Sequence, residues 1–225
     1  MGYEHYWKQK RKFTDTEWAL IRTDFKRLHD NLPEHSESAG GLYKDELLEI
    51  VGPEGQLIVK KLDGTVIGAE ICDEYRVAFN GGGGELTKID PRHRPYYDLS
   101  FEGFELTKYF RTLNYSCKTE RKPYDLLVCS VLTSAKIHAG DAILVSSDGN
   151  QADWEPALKL VKNVLVPTWN KFAIARFTKG YLLSGWLDYA GKVQKPGREP
   201  KKSLEEGGHD QSKFPKNQAH EQERV

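Results

Sequence analysis

The chain has 225 residues, enough for one domain of good size, and its basic and acidic side chains are equal in number, 33 of each. This balance argues against a dedicated duplex-DNA binder, which usually carries a basic excess. No apolar run approaches the roughly 20 residues of a membrane span, and no secretory leader is visible. Three cysteines do not suggest a disulfide framework, so the sequence predicts a cytoplasmic protein without a membrane partner.

Residues 3–13 read as an extended segment in which aromatic side chains precede basic ones. Such a mixture is typical of a surface that stacks on single-stranded nucleic acid. It is equally typical of an edge strand with Tyr3 and Trp7 facing inward, and we favour that structural interpretation.

The first helix has clear start signals. Thr14 and Glu17 have the spacing of a capping box, and Phe13 and Trp18 that of a hydrophobic staple. Pro33 is expected to end the helix.

Strands are predicted in the middle of the chain. A hairpin is expected over 57–67, a strand over 75–79, and further strand over 99–106. Asn80 and the glycines 81–84 should end the second of these strands in a flexible hairpin tip. The glycine run matches no nucleotide-binding loop motif.

The best-defined helix runs over about 123–139 and is apolar nearly all round, so it should be buried. Pro123 suits its first position, Asp125 its positive N-terminal end, and Gly140 its C-terminal cap. A short buried strand over 142–145 should follow.

The remaining segments complete the predicted architecture. A helix capped by Asp153 is expected over 153–164, and a second hairpin is expected from strands at 172–177 and 181–187. The polar tail at 191–225 should be disordered. We predict a single α+β domain over 1–190, in which antiparallel hairpins pack with two or three helices.

The candidate catalytic residues are Cys117, His5 and Asp148. Cys117 lies in a polar loop beside cations and ahead of a helix N-terminus, and both features stabilise a thiolate. His5 is the partner to test first. The alternative is that Cys117 is a small residue packing the loop, and that Asp148 belongs to an Asp-Gly turn.

Cations also gather ahead of the buried helix. Lys118, Arg121 and Lys122 could bind an anion such as phosphate together with the free N–H groups of the helix start. The alternative is a solvated loop whose cations pair with neighbouring carboxylates. Tyr124, Asn80 and His5 are expected to contact the rest of a ligand, and Ser147 is a further candidate binding residue.

Metal and cofactor sites are not expected. The histidines are scattered and no C-x-x-C or H-x-x-x-H pattern occurs among the candidates. Cys72 and Cys129 are interpreted as buried apolar residues.

Four motifs follow one another along the chain: Gly2-Tyr3-x-His5-Tyr6-Trp7, Phe79-Asn80-Gly81, Cys117-Lys118-Thr119-x-Arg121-Lys122-Pro123-Tyr124-Asp125 and Ser146-Ser147-Asp148-Gly149. They resemble a family of small proteins encoded by bacteria, plasmids and tailed phages, whose members open with Met-Gly-Tyr-Thr-His-Tyr-Trp and carry a Cys-Lys-Thr-x-Arg-Lys-Pro-Tyr-Asp block. The resemblance covers about residues 1–165. The chain departs from it at Glu4, where threonine is usual, in its four-glycine run, and in the extension after about residue 167. The resemblance implies a mobile-element context and supplies no reaction.

Three functions remain open from the sequence. The leading hypothesis is one polar site that binds a phosphate-bearing small molecule or nucleotide, with or without chemistry. The second is a non-enzymatic factor that acts on a host protein, and the third is single-stranded nucleic-acid binding. The leading hypothesis requires His5, Asn80, Arg121 and Ser147 to meet in one place.

Overall fold

The computed structural model of the protein describes five stretches of the chain, residues 3–36, 43–54, 68–83, 99–109 and 114–178. Within them the chain forms four α-helices and two antiparallel sheets, so the predicted α+β class is confirmed. The hairpin predicted at 57–67, the strand predicted at 181–187 and the tail at 191–225 lie outside the described residues.

The first sheet is built around the N-terminal segment. Strand β1 (Glu4–Gln9) lies between β6 (Tyr115–Lys118) and β7 (Ile143–Ser147) and is antiparallel to both. Tyr3 and Trp7 are buried as expected, but β1 is the central strand of this sheet and not an edge strand.

The second sheet is organised by β4 (Arg76–Gly82). This strand pairs with β2 (Glu49–Val51), β3 (Ile71–Cys72) and β5 (Phe104–Thr107). The prediction that the strand ends at Asn80 in a flexible tip was wrong. Asn80 and the two glycines after it are buried and continue the pairing with β2.

Helix α1 (Asp15–Asp30) begins as predicted. The Thr14 hydroxyl accepts a hydrogen bond from the Glu17 N–H, and the Glu17 carboxylate accepts one from the Thr14 N–H. Phe13 and Trp18 stack with ring centroids 6.1 Å apart. The helix therefore enters the core at a fixed angle, with its apolar face buried.

Helix α2 (Asp125–Ala139) is the predicted buried helix, and twelve of its residues are buried. It begins two residues after Pro123, so Pro123 lies in the preceding turn and not at the first helical position. Gly140 ends the helix with a φ of 55°, a conformation that glycine adopts without steric cost.

The last two helices differ from the prediction. Helix α3 (Gln151–Val164) is capped by Asn150. Asp153 is the third residue of the helix, and its side chain completes the capping box by accepting a hydrogen bond from the Asn150 N–H. Helix α4 (Lys171–Thr178) occupies the segment predicted as a strand at 172–177, which was wrong. The Asn170 side chain accepts hydrogen bonds from the N–H groups of Phe172 and Ala173, and this cap favours a helical start.

Candidate functional site

His5 occupies the centre of the first sheet. It lies directly opposite Cys117 of β6 and directly opposite Ser147 of β7. Directly opposite residues of antiparallel strands place their side chains on the same face. The three side chains therefore form a buried row, although Cys117 and Ser147 are far from His5 in sequence.

Asp125, the first residue of α2, meets His5 from the helix side. Its Oδ1 lies 2.7 Å from His5 Nε2 and accepts a 2.5 Å hydrogen bond from the Thr119 hydroxyl. Asp125 lies in the first turn of the helix as predicted, where the helix dipole stabilises a carboxylate. The same carboxylate also links the helix to His5.

Cys129 lies one helical turn after Asp125 and joins the same cluster. Its Sγ is 3.5 Å from His5 Nε2 and 3.8 Å from Asp125 Oδ2. Burial, followed by the nearby charge of Asp125, raises the pKa of the Cys129 thiol well above its usual value. The prediction that Cys129 is a buried core residue is correct, but its thiol also contacts two polar side chains, those of His5 and Asp125. The i, i+4 spacing of Asp125 and Cys129 was the sequence signal for this.

The cluster does not have the geometry of a nucleophilic triad. In such a triad the acid and the nucleophile contact different ring nitrogens of the histidine. Here Asp125 and Cys129 both approach Nε2, and Nδ1 is buried with no hydrogen-bond partner in the described part of the chain. The rings of Tyr3 and Trp154 pack edge-on against the imidazole and fix its orientation.

Cys117 does not have the exposed loop setting that suggested a reactive thiol. It lies in strand β6 rather than in a loop, and it is fully buried. Its Sγ is 3.3 Å from the carbonyl oxygen of Glu102, to which the thiol donates a hydrogen bond. Burial, with smaller contributions from the charges of Asp125 and Glu102, raises the pKa of this thiol. The alternative interpretation, a packing residue, describes it better.

All three predicted anion-binding cations are engaged by the protein itself, and Arg121, described below, is the most exposed of them. Lys122 is buried, and its Nζ donates a 2.5 Å hydrogen bond to the carbonyl oxygen of Ser100. Lys118 lies over the ring of Phe101, and its Nζ is 3.9 Å from a carboxylate oxygen of Glu120.

The start of α2 offers little to an anion. The first four N–H groups of the helix, those of residues 125–128, donate to the carbonyl oxygens of Lys122, Pro123 and Tyr124. The expectation that the helix start offers free N–H groups was therefore wrong. The tight turn ahead of the helix uses these donors internally.

Arg121 is held at the surface by a strained turn. Glu120 and Arg121 both have positive φ, 53° and 59°, and the Lys122 N–H donates to the Thr119 carbonyl oxygen. Type I′ turns have positive φ at both central positions and are usually occupied by asparagine and glycine. For other L-residues the left-handed conformation costs roughly 1–2 kcal/mol per residue.

We expect Glu120→Asn to raise the free energy of unfolding by about 0.5–1 kcal/mol, because asparagine tolerates the left-handed region better than glutamate. Urea unfolding of both proteins measures the change. The ion pair lost with Lys118 is partly exposed and contributes little. Glu120→Gln also removes that charge without the conformational gain, so it should show no increase. If the Glu120→Asn protein is less stable than the Glu120→Gln protein, the turn is not strained at residue 120.

The strained turn sets Arg121 against two neighbours. The guanidinium lies 4.0 Å from the centre of the Tyr3 ring, and its Nε and Nη2 lie 3.2 Å and 3.1 Å from Asp153 Oδ1. The Arg121 side chain remains 45% exposed. Arg121 is thus oriented before any ligand arrives and still open to solvent.

A small pocket lies beside this guanidinium and above the His5 cluster. Its volume is about 40 Å³, and its lining includes Tyr3, Arg121, Asp125, Cys129 and Asp153. A water molecule needs roughly 10–15 Å³ of such space. The pocket can therefore enclose a small ion with water, while any larger ligand must extend outside.

Of the four residues expected to meet in one place, only Arg121 lines the pocket. His5 and Ser147 are paired in the first sheet and Asn80 lies in the second, so the single convergent site that the sequence predicted is not formed.

Tyr124 and Asn80 serve the fold rather than the pocket. Tyr124 is fully buried, and its hydroxyl donates to the carbonyl oxygens of Glu102 and Lys118. Asn80 is also buried, and its amide exchanges hydrogen bonds with the Phe101 backbone. These bonds fasten the segment at 99–103 to β4.

Ser147 and Asp148 end β7 in a turn. The Ser147 hydroxyl accepts a hydrogen bond from the Gly149 N–H, and the Asp148 N–H donates to the Glu4 carbonyl oxygen. Asp148 is exposed and lies near Tyr6. Burial, together with a hydrogen bond to Glu4 and the nearby charge of Asp148, raises the pKa of Tyr6 to about 12.

A second buried polar cluster was not anticipated from the sequence. Asp24 Oδ2 accepts hydrogen bonds from the Ser134 hydroxyl and the Trp169 indole N–H, each 2.8 Å long, and lies 2.7 Å from His138 Nε2. Asp24 and His138 are almost completely buried. The cluster joins α1 to α2 and to the segment before α4.

Comparison of the chain with protein-family models, with curated proteins and with solved structures finds no match. Among the described residues, no helix combines the length and the apolar character that crossing a membrane would require.

Proposed function

We propose that the protein binds a phosphate-bearing small molecule or nucleotide at the pocket beside Arg121. The observation that supports this most directly is the orientation of Arg121 by its strained turn, by Tyr3 and by Asp153. A guanidinium presents a rigid set of donors that matches phosphate oxygens. Backbone strain of this kind is concentrated at functional sites, where the surrounding structure maintains it.

The ligand would enter at the exposed side of Arg121. Since the pocket encloses only about 40 Å³, a phosphate group would lie at its mouth and the remainder of a nucleotide outside. Arg121 would exchange part of its contact with Asp153 for the phosphate oxygens. Lys122, whose ammonium group donates a hydrogen bond to the Ser100 carbonyl oxygen, also lines the pocket and would contribute its positive charge.

We further propose that the protein is encoded by a plasmid or phage and acts in the cytoplasm of a bacterial cell. The three cysteines are all free thiols, which agrees with a reducing compartment. The motif resemblance supports the mobile-element context. Host-protein binding and single-stranded nucleic-acid binding stay predictions, although the buried rings of Tyr3 and Trp7 could not stack on bases.

A ligand screen followed by thermal unfolding tests the proposal. Inorganic phosphate and nucleoside mono-, di- and triphosphates are added to the full chain, and a true ligand at 100 times its Kd should stabilise the fold by about 2.7 kcal/mol. Arg121→Ala should weaken binding about 10- to 100-fold, because a hydrogen bond to a charged group contributes about 1.5–3 kcal/mol. Isothermal titration calorimetry measures that change.

Arg76→Ala is the matched control. Arg76 is also about half exposed and also ion-paired, its Nη1 lying 3.5 Å from a carboxylate oxygen of Glu105, but it does not line the pocket. It should bind the ligand as the wild type does. Stabilisation by none of the phosphate compounds, or equal losses in both variants, would overturn the proposal.

A further inference from the structure

We propose that His5, Asp125 and Cys129 form a binding site for a divalent transition-metal ion, and that zinc is the ion their chemistry favours. Each residue offers one ligand atom, and the three atoms lie within 4.8 Å of one another. Imidazole nitrogen, thiolate sulfur and carboxylate oxygen are the three donor types that zinc uses in proteins. Magnesium and calcium prefer oxygen alone.

The distance between the sulfur and nitrogen ligand atoms matches that of a tetrahedral zinc site. Zn–S and Zn–N bonds of about 2.3 Å and 2.0–2.1 Å place sulfur and nitrogen about 3.6 Å apart. Cys129 Sγ and His5 Nε2 are 3.5 Å apart. Asp125 Oδ1 is 2.7 Å from Nε2, so this pair must open by about 0.6 Å when the metal replaces their hydrogen bond.

Regular secondary structure fixes all three ligands. His5 lies in the central strand of the first sheet, while Asp125 and Cys129 are four residues apart on one face of α2. Asp125 and Cys129 also line the small pocket. Three protein ligands with a fourth position open to a pocket are the arrangement of zinc sites that keep a water or substrate ligand.

The protons of the site can be assigned. On metal binding the Cys129 thiol releases its proton to solvent and binds as the thiolate. His5 binds through Nε2, so the proton of its hydrogen bond with Asp125 moves through solvent to Nδ1, which becomes the protonated ring nitrogen. The Thr119 hydroxyl keeps its hydrogen bond to Asp125 and orients the carboxylate, as outer partners of metal ligands do.

The metal site goes beyond the proposed phosphate site and does not depend on it. None of the three ligands is Arg121, and the experiment uses metal ions alone, without phosphate. A protein that binds metal but no phosphate compound would refute only the proposed function. A protein that binds phosphate compounds but no metal would refute only this inference.

The test is a titration of the reduced, chelator-treated full chain with Co²⁺. Cobalt occupies zinc sites and reports a bound thiolate by an intense charge-transfer absorption. We expect a single equivalent of Co²⁺ to produce this absorption, together with the visible bands of four-coordinate cobalt. Zn²⁺ should then displace the cobalt and abolish both.

Cys129→Ser should eliminate the charge-transfer absorption, whereas Cys117→Ser should retain it. Cys117 is the matched control because it is equally buried and lies on the same face of the sheet beside His5. Circular dichroism verifies that each variant is folded. If Cys129→Ser fails to fold, Asp125→Asn provides the second test and should weaken Co²⁺ binding by more than about 100-fold.

Thr119→Val tests the orienting hydrogen bond and should weaken Co²⁺ binding about 10-fold, with the charge-transfer absorption retained. Two outcomes would overturn the site. One is the absence of charge-transfer absorption in the folded wild type. The other is an absorption that survives in Cys129→Ser and disappears in Cys117→Ser.

Discussion

Replacing Asp24 by alanine is expected to lower the free energy of unfolding by about 3–5 kcal/mol, the loss typical of breaking a buried ionic or polar network. Three donors converge on Asp24 Oδ2, from Ser134, His138 and Trp169. Without the carboxylate, all three remain buried with no acceptor, and each unsatisfied group costs about 1–3 kcal/mol before relaxation. Urea unfolding at neutral pH measures the loss.

Asp30→Ala is the matched control on the same helix. The Asp30 side chain is 74% exposed, so its removal should change stability by less than about 0.5 kcal/mol. Asp24→Asn keeps the shape of the side chain and one acceptor oxygen, so its free energy of unfolding should lie between those of Asp24→Ala and Asp30→Ala. An Asp24→Ala protein as stable as Asp30→Ala would show that the network does not hold these elements together.

This network matters for the candidate site because it positions α2. Ser134 and His138 are on α2, and Asp24 is on α1, so the Asp24 hydrogen bonds fix the C-terminal half of the buried helix. Asp125 and Cys129 lie at the other end of the same helix. The two buried clusters therefore hold α2 at both ends, one against α1 and the other against the first sheet.

The features that the sequence predicted correctly are those decided by neighbouring residues. The capping box of Thr14 and Glu17 and the C-terminal Gly140 depend on side chains within one helical turn. The burial of α2 follows from its nearly continuous apolar composition. Local chemistry decides such features, and it can be read without knowledge of the rest of the chain.

Some of the incorrect predictions concern segments whose structure depends on distant partners, and others were local. Asn80 and Gly81 were interpreted as a flexible tip because glycine normally weakens a strand. They continue β4 because Ile50 and Val51 of β2 pair with them. At α4 the error was local: the cap at Asn170 outweighed the β-rich composition of 172–177.

The candidate site could be predicted only in part for the same reason. Arg121 and the cysteines could be singled out by residue type, but strand pairing determines which side chains surround them. His5 and Asp125 are 120 positions apart, and no pattern in the sequence predicts the hydrogen bond between them. Cys129 was interpreted as apolar since its polar neighbour His5 comes from another element.

The two proposals fit together electrostatically. Two cations, Arg121 and Lys122, and two carboxylates, Asp125 and Asp153, line the pocket, so their formal charges cancel. A divalent ion that displaces the Cys129 proton adds two positive charges and one negative, which leaves a net charge of +1. A phosphate group at Arg121 would then meet an attractive pocket, because the metal offsets the negative charge of Asp125.

Gly81→Ala is the other substitution with a large expected effect, a loss of about 3 kcal/mol at the upper end of the usual range for overpacking a core. A Cβ atom at this position would overlap the Leu99 carbonyl oxygen and would lie 2.6 Å from Cδ1 of Tyr124. Neither neighbour can withdraw easily. Leu99 is buried, and the Tyr124 hydroxyl is bonded to two backbone carbonyl oxygens.

Gly68→Ala serves as the control for Gly81→Ala in thermal and urea unfolding. A Cβ at Gly68 would have its nearest neighbour, Glu54 Oε2, at an ordinary contact distance of 3.8 Å, so little change is expected. Tyr124 directly precedes Asp125, and a ring displaced by the methyl group added at Gly81 would also move the start of α2. Equal stability of the two alanine variants would mean that Tyr124 can shift at no cost, and that the start of α2 is less firmly fixed than its hydrogen bonds indicate.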